Sequence, residues 1–223
     1  MIEMAKSILV VLTSHERMSD HHKTGIWLSE FAEPYEVFKE AGFDITVASI
    51  KGGKAPIDPR SISDDARAKW GAIIRVAEQT IPIDSVTSEG FDAIFMPGGH
   101  GTMFDLPDDA KLQSLIAEFA ETDRIVGAVC HGPAALVKVK LSNGDYLVKG
   151  KQVTGFTNEE ERASTFDKYM PFLLEDALRQ AGAQFIGKPK WTEHVVADGK
   201  LVTGQNPQSS ESIARTIKAM LQN

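Results

Sequence analysis

Among 223 residues there is a single cysteine, Cys130. One thiol cannot build an intramolecular disulfide framework, and such sparing use suits a reducing compartment. Basic residues are also in short supply, 24 against 31 acidic, for a formal charge of −7. That balance, with no obvious basic patch, argues against nucleic acid or an anionic membrane as partner. Long apolar runs are missing as well. The stretch 8–12, directly behind residues 1–6, is too short to span a bilayer, and no small-residue cleavage pattern marks a signal peptide. It reads as a first core strand, and the chain as cytoplasmic. Repeats and low-complexity linkers are absent. The remaining composition, 42% hydrophobic and 25% charged, is that of an ordinary globular protein. The length suits one domain over 1–223, with a possible covering element around 51–90.

Short apolar strands alternate with helical patterns, which predicts an α/β sandwich around a mostly parallel sheet. Strands are expected at 8–12, 44–49 and 91–96, and helices at about 34–41, 64–79, 108–119, 169–181 and 209–221. Pro34 suits a first helical turn and Gly42 a stop. Residues 51–59 are loop by composition. A pair of short strands is expected around Lys149-Gly150, within 146–154. Residues 194–203 read as a hairpin, with Asp198-Gly199 suiting a type I′ turn. In such sheets the ligand site lies beyond the carboxyl ends of the strands. The loop 97–101 and the turn at Cys130 both follow such ends.

Cys130 sits between the apolar run 125–129 and Gly132-Pro133, which reads as a helix start. A thiol at a sharp strand-to-helix turn is lifted out of the core, the mechanical logic of the serine elbow in hydrolases. A helix N-terminus and the neighbouring His131 both favour thiolate, so the thiol is expected to be unusually acidic. Around the turn, the His131 ring can reach the same cleft as a base or acid, and a carboxylate should then orient it. The run Glu159-Glu160-Glu161 is the nearest downstream supply, and two of the three are expected to be solvated surface groups. Gly98 and Gly99 let the chain turn tightly, and beside a cysteine elbow their N–H groups suit a developing oxyanion. Glu30, by itself, reads as a first-turn residue complementing a helix dipole. His15, His21 and His22 show no metal-ligand spacing and read as loop histidines.

Taken together, Glu30, Pro97-Gly98-Gly99-His100-Gly101, Val129-Cys130-His131-Gly132-Pro133-Ala134 and Thr154-Gly155-Phe156-Thr157-Asn158 resemble the ThiJ/PfpI superfamily. Within it, the chain is similar to the branch of glyoxalase III enzymes and heat-shock chaperone-like proteins. The likeness includes Thr24-Gly25, Pro56-Ile57-Asp58-Pro59 and Leu201-Val202-Thr203-Gly204-Gln205-Asn206-Pro207. It implies a flavodoxin-like three-layer sandwich, commonly dimeric. It also implies a nucleophile at Cys130, its histidine at His131 and the orienting carboxylate at Glu161, with Glu160 standing where the family has glycine. Glu30 matches the acid that hydrogen-bonds the cysteine across the cleft; facing a thiolate, its own pKa should be raised.

The resemblance implies a glutathione-independent glyoxalase III that converts methylglyoxal and water to lactate, a lyase of the D-lactate dehydratase type. It would need no metal or other cofactor, and a small 2-oxoaldehyde would be its substrate. Removal of early glycation adducts would use the same thiol. A stress-related holdase chaperone would instead need exposed apolar surface and no thiol.

Overall fold

The computed structural model describes residues 5–223; the first four residues of the predicted N-terminal lead-in lie outside the described residues. Strand β1 (Ser7–Leu12) is followed by a small antiparallel pair, β2 (Arg17–Ser19) and β3 (His22–Lys23). The main sheet continues through β4 (Asp44–Ser49), β5 (Ile81–Pro82), β6 (Ala93–Met96) and β7 (Ile125–Val129). A second short pair, β8 (Gln152–Val153) with β9 (Gln184–Phe185), precedes β10 (Val195–Asp198) and β11 (Leu201–Gly204). Seven strands form one sheet in the order β10-β11-β7-β6-β1-β4-β5. Every pairing in it is parallel except β10 with β11. A central parallel strand is apolar on both faces, and β6 and β7 are buried at every residue.

Helices flank this sheet. α1 (Leu28–Glu40) and α7 (Ser210–Gln222) pack on each other, α1 also on β4 and α7 on β7 and β11. α2 (Asp64–Ala77) packs against α1. Further along the stretch 51–90, Ile81–Pro82 pairs with Ala48 and Ser49 as the edge strand of the sheet. The short α3 (Thr102–Asp105) follows β6, and α4 (Ala110–Glu121) packs on β6 and β7. Two short helices, α5 (Asn158–Ser164) and α6 (Leu174–Gln180), come later.

Several local expectations are corrected. α1 starts six residues before Pro34, because Leu28, Phe31 and Ala32 supply a buried face that overrides the proline as a start signal. The region 146–154 forms no hairpin: Gln152 and Val153 pair in parallel with the distant Gln184 and Phe185. In the 195–204 hairpin, Asp198 pairs with Leu201, so the turn residues are Gly199 and Lys200. Only Gly199 has positive φ (60°), which fits type II′ rather than I′. After the elbow the chain makes a five-residue 3-10 turn (Gly132–Leu136) instead of an α-helix.

The chain leaves β1 to build one side of the sheet through β4 and returns to β6 on the other. The crevice beyond the carboxyl ends of β1 and β6 is therefore a topological switch point. Loop 97–101 and the Cys130 elbow project into it. Gly132 makes the elbow possible at this spacing, since a Cβ there would lie 2.1 Å from the Met96 carbonyl oxygen at the end of β6. Backbone cannot swing aside as a side chain can. Gly132→Ala is expected to destabilise the fold by about 3 kcal/mol, at the upper end of overpacking effects. Chemical denaturation of the two proteins measures it, and a loss below about 1 kcal/mol would show that the elbow tolerates displacement.

Candidate active site

Cys130 follows the last residue of β7 with φ of +59°, a left-handed conformation that a side-chain-bearing residue adopts only under local constraint. The constraint is visible on both sides. Its N–H donates to the Gly204 carbonyl at the end of β11 (3.0 Å), and its own carbonyl accepts the Phe156 N–H (2.9 Å). The Thr102 hydroxyl adds a bond to the carbonyl of His131 (3.1 Å). Pinned in this way, the thiol faces a cavity of about 290 Å³ lined by Trp27, Glu30, Arg60, His100, Phe156 and Trp191, among others.

His131 Nδ1 lies 3.5 Å from Cys130 Sγ, and its Nε2 lies 2.5 Å from Glu161 Oε2. The sequence did not assign a role to His100, whose Nε2 takes the second Glu161 oxygen at 2.7 Å. The Arg60 guanidinium, which can only donate, approaches His100 Nδ1 at 3.2 Å. The His100 proton therefore sits on Nε2 and points at Glu161. Burial, then the nearby His131, lower the His100 pKa to about 4, so this ring is neutral at pH 7. Burial alone would lift the Glu161 carboxyl. The electrostatic pull of His131 and the two imidazole N–H groups outweigh it and hold Glu161 well below the usual range. With Glu161 accepting at Nε2 of both rings, His131 Nδ1 is left to exchange a proton with the thiol.

His100, His131 and Glu161 place three potential metal-ligand atoms within 4.8 Å of one another, all buried. Their chemistry is that of a relay, however. Both Nε2 atoms carry protons directed at the carboxylate, and Arg60 opposes the His100 tautomer that would free Nε2 for a metal.

Glu30 sits in the first turn of α1, fully buried. Its Oε2 accepts the Gly98 N–H (2.8 Å), Oε1 has no partner of good geometry, and the carboxyl lies beside the thiol. Burial raises its pKa to about 8, against the opposing pull of the Cys130 and Gly98 contacts. Cys130 is not the acidic thiol expected from the sequence. Burial, then the Glu30 charge, push it well above the ordinary value. The short 3-10 turn beyond it is too small to offer a full helix N-terminus in compensation. While Glu30 holds its proton, its charge no longer opposes the thiolate.

The oxyanion reading shifts by one residue. The Gly98 N–H is engaged by Glu30 and is not free for substrate. Gly98 contributes space instead, since a Cβ there would lie 2.5 Å from Glu30 Oε2. Gly99 (φ +103°) lines the cavity, and its N–H and that of His131 have no partner among the described residues.

The glutamate run resolves into three environments. Glu159 is exposed, Glu161 is at the relay, and Glu160 is not the surface group that was expected. Fully buried, it completes a capping box with Thr157 and also accepts from Trp191 N–H (2.9 Å), Gln205 Nε2 (3.1 Å) and Asn206 Nδ2 (2.8 Å). The pattern Thr157-x-x-Glu160 is a capping-box signature that could have identified it from sequence.

Two outcomes follow from these environments. A carboxyl whose folded pKa (about 8) exceeds its ordinary 4.5 holds its proton more tightly when folded. Its contribution is full below about 4.5 and is lost as pH rises through about 8. Glu30→Gln should therefore gain stability over wild type as pH rises across that window, by on the order of a few kcal/mol. Thermal melts at several pH values measure this, and a flat difference would mean that Glu30 is ionised throughout. Glu160→Gln places an NH₂ group among donors and should cost about 2 kcal/mol. Equilibrium denaturation of that variant checks it, a near-wild-type result being incompatible with the five bonds.

Residues 22–220 match the DJ-1/PfpI family. The chain is 32% identical to the probable glutathione-independent glyoxalase hsp3103 of Schizosaccharomyces pombe, over 91% of this chain and 92% of that one. It superposes on Rapid Encystment Protein 24 KDa of Francisella tularensis with a TM-score of 0.93 and 38% identity, covering 98% and 100% of the two chains. Glyoxalase III of Candida albicans gives a TM-score of 0.87 and 30% identity, covering 96% of each. With the family match running over 22–220 and a relative 32% identical along nearly its whole length, the chain belongs to the DJ-1/PfpI family.

Proposed function

We propose that the chain is a glutathione-independent glyoxalase that converts methylglyoxal to lactate, using Cys130 as nucleophile. The reading rests on one observation: a thiol in the cavity, 3.5 Å from an imidazole nitrogen whose opposite nitrogen is fixed by a carboxylate. Relatives named glutathione-independent glyoxalase or glyoxalase III support it.

With the thiol protonated at rest, attack and deprotonation are coupled. The S–H proton passes to His131 Nδ1 as sulfur bonds to the aldehyde carbon, and the carbonyl oxygen becomes the hydroxyl of a hemithioacetal. Gly99 and His131 N–H groups stabilise that oxygen as charge develops. His131 hands the thiol proton on to that oxygen and is neutral again. His131 then removes the hydrogen from the former aldehyde carbon while protonated Glu30, beside the sulfur, supplies a proton to the ketone oxygen. The enediol so formed collapses as His131 delivers its proton to the neighbouring carbon and Glu30 takes one back from the first hydroxyl. The first carbon is oxidised to a thioester and the second reduced to an alcohol, so no external electron acceptor enters. Water cleaves the thioester, giving lactate and restoring the thiol, the balance of a D-lactate dehydratase run toward lactate.

The holdase reading has less to rest on. Large exposed apolar side chains among the described residues are Ile81, Tyr146, Ile186 and Trp191, scattered over separate segments.

Cys130→Ala and Cys130→Ser should each abolish methylglyoxal turnover in the absence of glutathione. Retention of about a tenth of wild-type kcat would remove Cys130 from the mechanism. Glu161→Gln should lower kcat by about 10²-fold or more, because it cannot stabilise an imidazolium, whereas Glu159→Gln should match wild type. A sensitive Glu159 with an indifferent Glu161 would sink this assignment of the relay.

A further inference from the structure

The relay accounts for Nη2 of Arg60 but not for the whole side chain. Nε and Nη2 form a two-pronged pair with the buried Asp58 carboxylate (2.9 and 2.6 Å), and Nη2 also reaches His100. Asp58 is itself fixed by the Thr24 hydroxyl at 3.0 Å. This contact joins Thr24-Gly25 to Pro56-Ile57-Asp58-Pro59, two motifs without a role in the chemistry above. Phe166 stacks under the guanidinium at 4.1 Å, and Trp27 lies 5.7 Å from it. So held, Arg60 keeps its Nη1 free of any partner among the described residues, and about a third of the side chain remains exposed.

Arg60 also borders a second cavity, of about 420 Å³, lined by Arg17, Asp20, His21, His22 and Lys23. Arg17 donates to the Asp20 main-chain carbonyl (3.0 Å). Neither Arg17 nor Lys23 pairs with a carboxylate among the described residues. Arg17, Lys23 and Arg60 outnumber the one carboxylate in this lining, Asp20, so in a chain of net charge −7 a locally cationic strip runs up to the reactive cavity. The overall charge count conceals it.

We propose that Arg60 and the groove beyond it form a subsite for the anionic tail, carboxylate or phosphate, of a 2-oxoaldehyde whose aldehyde end reaches Cys130. The assignment rests on the glyoxalase reading and narrows its substrate class. A guanidinium held rigid on one edge presents the other with little entropy left to lose, and its planar donors match an oxyanion. Arg17 and Lys23 raise the local concentration of such anions.

The test compares a five-carbon 2-oxoaldehyde ending in a carboxylate with its methyl ester. Wild type should show kcat/KM higher for the acid by about tenfold, shrinking as salt is added. Arg60→Gln should bring the two within about twofold of each other, and Arg60→Lys should retain part of the preference. A wild-type ratio near one, or a ratio that Arg60→Gln leaves unchanged, overturns the proposal. Inorganic phosphate and acetate as competitors tell which anion the site prefers. If methylglyoxal itself is not turned over, the glyoxalase reading fails on its own. The subsite is then tested by tryptophan fluorescence on the Cys130→Ser protein with levulinate against methyl levulinate. Tighter binding of the acid, lost with Arg60→Gln, supports the subsite, and equal binding refutes it.

Discussion

The left-handed backbone at Cys130 is the constraint from which the rest of the site takes its position. A side-chain-bearing residue in that region carries on the order of 1–3 kcal/mol of strain, and it persists only where its surroundings leave no alternative. Here they are the carboxyl ends of the two strands beside β7 and the segment that follows β8. β11 takes the Cys130 N–H, the segment after β8 takes its carbonyl, and the end of β6 closes so tightly over Gly132 that no Cβ fits. The turn that results throws the thiol into the crevice and points His131 toward α5. Were the backbone to relax, the 3.5 Å approach of thiol and imidazole would be lost, although each residue would still be present.

Two buried carboxyls then divide the work by environment alone. Glu161 is surrounded by donors, from His100 and His131, and stays ionised despite burial. Glu30 receives one backbone N–H, faces a thiol, and has its pKa lifted to about 8. Carboxyls pushed apart in this way can serve opposite roles at one pH, one stabilising positive charge and the other donating a proton. The arrangement also explains why the thiol need not be acidic at rest. In the proposed reaction an imidazole fixed by Glu161 accepts the proton during attack, and the neutral Glu30 does not repel the charge left on sulfur.

What was legible in the sequence follows the range of the interactions involved. The elbow could be read because its causes are local: β-branched residues, then cysteine, then glycine and proline. The order of strands and helices could be read from periodicity for the same reason. His100 could not, because its role is created by Glu161, sixty-one positions away, and by the Arg60 loop. Glu160 shows a different failure. Three glutamates in a row look like a solvated face, yet one turn of helix distributes them among solvent, a capping box and a relay. The error at 146–154 has the same origin, since Gln152 and Val153 find their partners at 184 and 185. Local patterns fix the elements, whereas the partners of buried polar groups are decided by topology.

Rigidity at the mouth of the cavity is the last consequence of this division. Trp191 is 42% exposed and has φ of +63°, both of which would suit a mobile flap. Its N–H, however, ends on the buried Glu160, which Gln205 and Asn206 also hold. Its ring stands 5.7 Å from Phe156, which in turn lies 4.3 Å from His131. On the opposite rim Arg60 is tied to Asp58, and Asp58 to Thr24. Both walls are thus anchored by buried carboxylates rather than by apolar packing alone. Such anchors resist sliding because any displacement strands a charge away from its donors. The strand ends therefore set the chemistry, and the two anchored walls set what may reach it; a change of substrate can be made at the walls without disturbing the elbow.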